Sequence, residues 1–357
     1  MNRSDLLLLR AAIDLAERGR FSCAPNPAVG CIIVRDGTII GRGYHARAGE
    51  GHAEVQALAD AGGDVAGATV YVSLEPCSVV GRTPACADTL IRAGVRRVVA
   101  GCLDPDPRVA GGGISLLRDA GIDVEVADLP EAKHLIVGFG RRITGGAPLL
   151  RIKTASSLDG ATALASGESQ WITGETARND VQYWRARSDA IITGIGTVLA
   201  DDPSLTVRRF EGVKQPLRVV LDTALKTPPT AQLLNDGGAT LLVHDPGVSK
   251  PASLSAADTV ALARGDLAGL LRELAERGCN EVLLESGPTL LGAFVETDRW
   301  DEWIAYIAAK ILGSASRPLV EQHVDKLAGV GRAEIVSVTP VGEDLRIILR
   351  NPRSALV

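Results

Sequence analysis

Apolar positions spaced three and four apart open the chain. Leu8, Leu9, Ala12, Ile13 and Ala16 fall on one face of a predicted helix that Ser4 can cap and that runs to about Arg18. Pro25-Asn26-Pro27 then forces a loop. A continuous apolar run over 29–34 reads as a buried strand, Asp36-Gly37 as a hairpin turn, and 38–43 as the partner strand. The period returns to helical over 52–61 and stops at Gly62-Gly63. Strands at 68–74, 97–100 and 122–126 alternate with helices at 85–93 and 114–120. This alternation predicts one layered α/β unit.

A helix around 131–138 follows, and Thr144-Gly145-Gly146-Ala147-Pro148 reads as a boundary. It places the predicted domains at 1–146 and 147–357. After it the alternation restarts, with strands at 149–155, 190–193, 218–222, 240–244 and 281–285 and helices at 175–187, 267–277 and 288–297. Two late strands are predicted near 304–309 and 346–350. Apart from the strand at 240–244, residues 224–265 carry no usable period and match no motif.

Composition narrows the picture. Aromatic residues make up only 3% of the 357 positions, so Val, Ile, Leu and Ala must build the core. The net charge of −5 argues against a nucleic-acid or anionic-membrane partner, which requires clustered Lys and Arg. No apolar run reaches the ~18–20 residues of a membrane span. Arg10 and Asp14 interrupt the first apolar stretch, so no signal peptide is expected. The cysteines at 23, 31, 77, 86, 102 and 279 are scattered unlike a disulfide framework, which suits a reducing cytoplasm.

Two of those cysteines stand in a chemical context. His52-Ala53-Glu54 opens a predicted helix, Pro76-Cys77 follows a strand, and Cys86 begins another helix. One imidazole and two thiolates suit zinc, and three protein ligands leave a fourth position for water. Glu54 sits two residues from His52, able to reach that water and carry its proton to a leaving amine. The order His-x-Glu, then Pro-Cys, then Cys is the zinc-deaminase signature, although eight residues separate the cysteines here instead of two. Cys23, Cys31, Cys102 and Cys279 lack such context and read as core, and Glu75 reads as structural.

The second unit carries several strand–turn–helix corners rich in Gly, Ser and Thr: 151–160, 167–174, 194–203 and 285–292. Backbone amides at such corners can cradle phosphates. Leu199 stands where the dinucleotide fingerprint needs its third Gly, so these corners alone reach only a nucleotide-sized ligand in an α/β domain.

Taken together, Pro25-Asn26-Pro27-Ala28-Val29-Gly30, Gly43-Tyr44-His45, His52-Ala53-Glu54-Val55, Leu74-Glu75-Pro76-Cys77-Ser78 and Gly81-Arg82-Thr83-Pro84 resemble one family, the bifunctional riboflavin-biosynthesis enzymes that fuse a pyrimidine deaminase to a reductase. The wide cysteine spacing is that family's own. The blocks at 153–160, 166–173, 197–203 and 285–292 resemble its reductase half. The resemblance implies a cytidine-deaminase-like three-layer α/β/α domain followed by a dihydrofolate-reductase-like α/β domain. It implies zinc on His52, Cys77 and Cys86, catalysis by Glu54, and deaminase substrate contacts from Asn26, His45 and Arg82. It implies NADPH along Ala155, Trp171, Thr197, Asp201, Thr223 and the run Gly287, Pro288, Thr289, Leu290, Leu291, Gly292 and Ala293. It implies reductase substrate contacts from Lys153, Ser169, Arg185, Leu205, Arg208 and Glu285.

The substrates so implied are phosphorylated ribosylaminopyrimidines. 2,5-Diamino-6-ribosylamino-4(3H)-pyrimidinone 5′-phosphate is deaminated, and 5-amino-6-(5-phosphoribosylamino)uracil is then reduced to the ribityl form. A homo-oligomer is also implied. Two departures stand out: Val79-Val80 replace the histidine usual after Cys-Ser, and Gly51 replaces the Pro before His52. They leave the ligands and Glu54 untouched, but keep open a related pyrimidine substrate or a reductase with an impaired deaminase domain.

Overall fold

A computed structural model describes residues 1–79, 84–210, 212–326 and 331–354. The chain divides into two compact units, one covering Met1–Ala147 and the other Pro148–Ala355.

In the first unit the strands β1 (Gly30–Arg35), β2 (Thr38–Tyr44), β3 (Thr69–Val72), β4 (Arg97–Ala100) and β5 (Asp123–Val126) form a sheet in the order β2-β1-β3-β4-β5. β1 runs antiparallel to β2 and β3, and β3, β4 and β5 are parallel. Both faces are covered, and β1 shows why: its side chains alternate between two cores. Cys31 and Ile33 pack with α2 (Ala53–Asp60), α3 (Cys86–Arg92) and α4 (Gly112–Asp119) through Ala57, Leu90 and Leu117. Ile32 and Val34 pack on the other face with Leu9 and Ala12 of α1 (Arg3–Ala16). This is a three-layer α/β/α unit. Gly43 lets α2 press onto β2, since a Cβ there would lie 2.3 Å from the Ala53 carbonyl oxygen.

Three details differ from expectation. Asn2, not Ser4, caps α1; its side chain accepts from the Asp5 N–H, and Asp5 returns the bond to the Asn2 N–H. The helix expected at 131–138 is two helices, α5 (Pro130–Leu135) and α6 (Val137–Gly145), broken at Ile136. The predicted boundary residues Thr144 and Gly145 therefore lie inside α6, and the turn comes at Gly146 (φ +66°).

The second unit is built on nine strands in the order β11-β10-β9-β8-β12-β6-β13-β16-β15. They are β6 (Leu149–Ser157), β8 (Ala190–Gly194), β9 (Leu217–Leu221), β10 (Thr240–His244), β11 (Asp258–Ala261), β12 (Glu281–Leu284), β13 (Glu302–Ala308), β15 (Glu334–Val341) and β16 (Asp344–Arg350). The run β11 to β13 is parallel; β16 and β15 return antiparallel at one edge. β7 (Ala161–Ala163) and β14 (Arg317–Pro318) pair separately. The helices are α7 (Glu175–Arg187), α8 (Ile195–Asp201), α9 (Gln232–Asn235), α10 (Leu267–Glu276) and α11 (Pro288–Glu296). Because β6, β8, β9 and β12 are parallel, their carboxyl ends share one edge of the sheet, where open α/β sheets bind ligands. At the amino ends of β6, β12 and β13, Arg151 bonds both Glu281 and Glu302 at 2.6 Å and clamps the strands together.

Candidate active sites

In the first unit α2 and α3 begin beside the loop that leaves β3. His52 is the N-cap of α2, and Cys86 is the first residue of α3. Cys77 comes from the loop itself. The ligand atoms of His52, Cys77 and Cys86 all lie within 4.8 Å of one another, and among the described residues this is the single such gathering of His, Cys, Asp and Glu. His52 Nδ1 is 3.2 Å from Cys86 Sγ and 3.6 Å from Cys77 Sγ. Ligands at zinc's ordinary bond lengths in a tetrahedron stand about 3.5–3.8 Å apart, so this donor set fits the ion in both chemistry and spacing.

Cys77 is the thiolate of the pair. Hydrogen bonds from the Cys86 thiol, then from His52 and the Cys86 backbone N–H, hold it at about 4. The same shared proton, with burial, pushes the Cys86 thiol up. Glu54, 3% exposed, is raised to about 7 chiefly by burial. It is therefore a carboxyl able to hold a proton near neutral pH.

Two of the expected substrate contacts stand against this cluster. The His45 and His52 rings meet edge to face, with centroids 5.2 Å apart. Burial lowers the His45 pKa, which keeps the imidazole neutral. Its Nδ1–H donates to the Gly51 carbonyl at 3.2 Å, and Nε2 accepts from Asn26 Nδ2 at 3.0 Å. Gly51 thus serves through its carbonyl, which explains why a Pro is not needed there. Arg82 lies outside the described residues, as does Val80; Val79 is exposed.

Glu75 does more than the sequence suggests. Its buried carboxylate accepts four backbone N–H groups, from Asp104 (3.1 Å), Gly111 (2.9 Å), Gly113 (2.9 Å) and Ile114 (3.2 Å). It thereby ties the Pro76-Cys77 loop to the start of α4. A Cβ at Gly113 would lie 1.8 Å from the Pro76 carbonyl oxygen, so only Gly permits the approach.

In the second unit a cleft of about 1430 Å³ opens at the carboxyl edge of the sheet. That exceeds the ~300–1,000 Å³ of a drug-sized site and leaves room for two ligands. Lys153, Ser169, Arg185, Leu205, Arg208 and Glu285 all line it. So do Ala155, Trp171, Thr197, Asp201, Thr223, Gly287, Pro288, Thr289, Leu290 and Ala293. Leu291 and Gly292 are not part of its wall. Leu291 is 1% exposed in the core, and Gly292 faces the Glu321 backbone, where a Cβ would lie 2.1 Å from the carbonyl oxygen. Helical spacing turns these two away from the wall that 287–290 and 293 present.

The cations are not equally free. Arg185 forks onto Glu285, with Nε to Oε1 at 2.7 Å and Nη2 to Oε2 at 3.0 Å; Lys153 Nζ reaches Oε2 at 3.4 Å. Burial opposes the Glu285 charge, but Arg185 and Lys153 outweigh it and hold the carboxyl at about 2. The sequence reading missed Arg178, which lies 4.5 Å over the Trp171 ring and donates to the Thr173 carbonyl at 2.6 Å. Its place seven residues before Arg185 on α7, hence on the same face, was the available signal. It also missed Arg264 and Arg317 on the cleft wall.

Comparison with known proteins places both units. Residues 2–102 match the cytidine and deoxycytidylate deaminase zinc-binding region, and residues 148–347 match the RibD C-terminal domain. The chain is 45% identical to the riboflavin biosynthesis protein RibD of Escherichia coli (strain K12), covering 96% of this chain and 98% of that one. It is 41% identical to the Haemophilus influenzae protein of the same name, over 96% of each. Among solved structures, Acinetobacter baumannii RibD (form 1) superposes with a TM-score of 0.92 at 42% identity, covering 98% of this chain and 99% of that one. A diaminohydroxyphosphoribosylaminopyrimidine deaminase/5-amino-6-(5-phosphoribosylamino)uracil reductase from Thermotoga maritima superposes at 0.86 with 32% identity, over 96% and 97%.

Proposed function

The chain belongs to the RibD family of bifunctional riboflavin-biosynthesis enzymes, a zinc-binding deaminase joined to a reductase, and from that membership we propose which of its residues carry each step. The observation that bears most weight is the convergence of His52, Cys77 and Cys86 with the buried carboxyl of Glu54 beside them.

In the deaminase, His52, Cys77 and Cys86 would hold the metal. When bound there, zinc supplies a water with a pKa near 7. Glu54 takes a proton from the attacking water and returns it to the departing amine, so C–NH₂ and water become C=O and ammonia. The neutral His45 accepts from Asn26 Nδ2 and so orients that amide, which offers its Oδ1 and remaining N–H to the pyrimidine. Arg82 serves its phosphate. The substrate is 2,5-diamino-6-ribosylamino-4(3H)-pyrimidinone 5′-phosphate.

In the reductase, Ala155, Trp171, Thr197, Asp201, Thr223 and 287–290 are the wall that would hold NADPH. When bound, the reduced nicotinamide supplies the hydride. The chain's task is to align two reactants and keep water out. Lys153, Arg185 and Arg208 face the dianionic phosphate of 5-amino-6-(5-phosphoribosylamino)uracil, with Ser169, Leu205 and Glu285 fixing its orientation. Glu285 offsets one of the cations, so that trio of Lys153, Arg185 and Glu285 carries net charge +1.

No helix among the described residues is long and apolar enough to cross a membrane. We assign the enzyme to the cytoplasm, supported by six free cysteines, two of them in the metal site. We also assign it a homo-oligomeric state, supported by the edge strand β15, which exposes Ile335, Val336 and Val338. Light scattering on the purified protein tests that state. The function itself is tested by incubating the protein with the diaminopyrimidine. Release of ammonia followed by NADPH oxidation is expected; NADPH oxidation without ammonia would reduce the protein to a reductase.

A further inference from the structure

We propose that Arg264 selects the phosphorylated dinucleotide by pairing with the 2′-phosphate on its adenosine ribose. This rests on the reading of the second-unit cleft as a dinucleotide site.

The end of that cleft assigned above to the pyrimidine substrate holds Lys153 on β6 and Glu285, which follows β12. Next comes the start of α11, nine residues long, whose N-cap Gly287 supplies no side chain to the free N–H groups. Nothing lies within 4 Å of where a Gly287 Cβ would be, so this end is open to the cleft. A pyrophosphate suits it. From there the sheet continues through β8, β9 and β10 to β11, four strand steps or about 19 Å from β12. The wall contributed by this far side consists of Leu221, Thr223, Gln232, Arg264, Gly265 and Leu267. Arg264 is its single cation.

Arg264 is also uncommitted. It is exposed, and among the described residues no hydrogen bond or ion pair engages its guanidinium. The other cleft cations stand elsewhere: Arg185 and Lys153 on Glu285, Arg178 on Trp171, Arg209 beside Glu175, and Arg317 on β14. Arg208 is held near α7 by its backbone N–H, which donates to Gln182. Three carboxylates on the far side are occupied by backbone N–H groups. Asp266 caps α10 through the Gly269 N–H at 2.7 Å. Asp202 accepts from the Gln232 N–H at 2.9 Å, and Asp222 from the Thr227 N–H at 2.7 Å.

The backbone under Arg264 is fixed. Leu262 N–H bonds the His244 carbonyl at 2.9 Å, and Leu267 N–H bonds the Gly265 carbonyl at 2.8 Å around a left-handed Gly265 (φ +84°). A free guanidinium on a rigid turn, at the ribose end and without a carboxylate partner, matches a phosphate monoester. A carboxylate in that place would instead favour the unphosphorylated 2′-hydroxyl.

The test is calorimetric binding of 2′,5′-ADP, 5′-ADP, NADPH and NADH to the full chain and to Arg264→Gln, with Arg264→Lys alongside. The intact protein is expected to prefer the 2′-phosphorylated ligand of each pair. In Arg264→Gln that ligand should weaken about 10- to 100-fold, with 5′-ADP and NADH unchanged. Arg264→Lys should recover part of the preference. The melting temperature should hold, since the side chain is exposed. Equal weakening of both members of a pair, or no change in either, would overturn the assignment to Arg264 alone. If the intact protein binds none of the four, the dinucleotide reading falls with it.

Discussion

Arg185 and Glu285 meet fork to fork, at 2.7 and 3.0 Å, on the wall of the second-unit cleft. The pair is largely buried, so removing one partner strands the other. The folded Glu285 stays ionised down to about 2, while in the unfolded chain it protonates near 4.5. Its stabilisation is complete above about 4.5 and fades as pH falls toward 2; at neutral pH it amounts to about 3 kcal/mol. Glu285→Gln should lose that amount at pH 7 and little of it at pH 2.5. Urea unfolding at the two values measures the difference. An equal loss at both would show that the ionic pair is not its source.

Glu54→Gln keeps the shape of the side chain and removes its ability to accept a proton. Ammonia release should fall by about 10²–10⁴-fold. Zinc content should stay near that of the unaltered protein, because Glu54 is not among the gathered ligands. Reduction of already deaminated substrate should be unaffected. Full ammonia release from this variant would move the proton-transfer role to another group.

Cys86→Ser replaces a soft sulfur donor at the start of α3. The variant should purify with far less than one zinc per chain and release no ammonia. A strong chelator should bring the unaltered enzyme to the same state, and added zinc should reverse it. NADPH-dependent reduction should survive both treatments within about twofold, since the second unit carries its own sheet and core. Elemental analysis alongside the two assays separates these outcomes.

The zinc site was legible because each ligand sits in a short local pattern: His52 and Glu54 at one helix start, Cys86 at another, Cys77 after a strand. The periods of β1, α2, α7 and β12 were legible for a similar reason, since burial on a fixed face imprints a repeat on the sequence. β11 left no imprint. Its residues Asp258, Thr259, Val260 and Ala261 are exposed or half-buried, so selection for an apolar face is weak. With β11 invisible, Arg264 could not be assigned to the cleft edge. β15 escaped for the opposite reason, being an edge strand with apolar residues exposed. Leu291 and Gly292 show a further limit. A contiguous motif reads as one surface in sequence, but a helix turns part of it away.

Glu75 is structural, as its sequence context suggested, and its part in the first unit is specific. Its carboxylate takes four backbone N–H groups, two on each oxygen, while its own backbone N–H donates to the Cys102 carbonyl at 3.0 Å. It is two residues from Cys77, so whatever fixes Glu75 also fixes the direction of that thiolate. Glu75→Gln is nearly isosteric, yet it sets an amide NH₂ against two N–H donors that cannot turn away. The variant should lose about 2–4 kcal/mol of first-unit stability. Its zinc affinity should fall about 10- to 100-fold, the usual effect of disturbing a group that orients a ligand. Thermal unfolding reads the first quantity, and competition with a chromophoric chelator at a temperature where the variant is folded reads the second. A lowered melting temperature with unchanged zinc affinity would mean that Glu75 braces α4 without positioning Cys77.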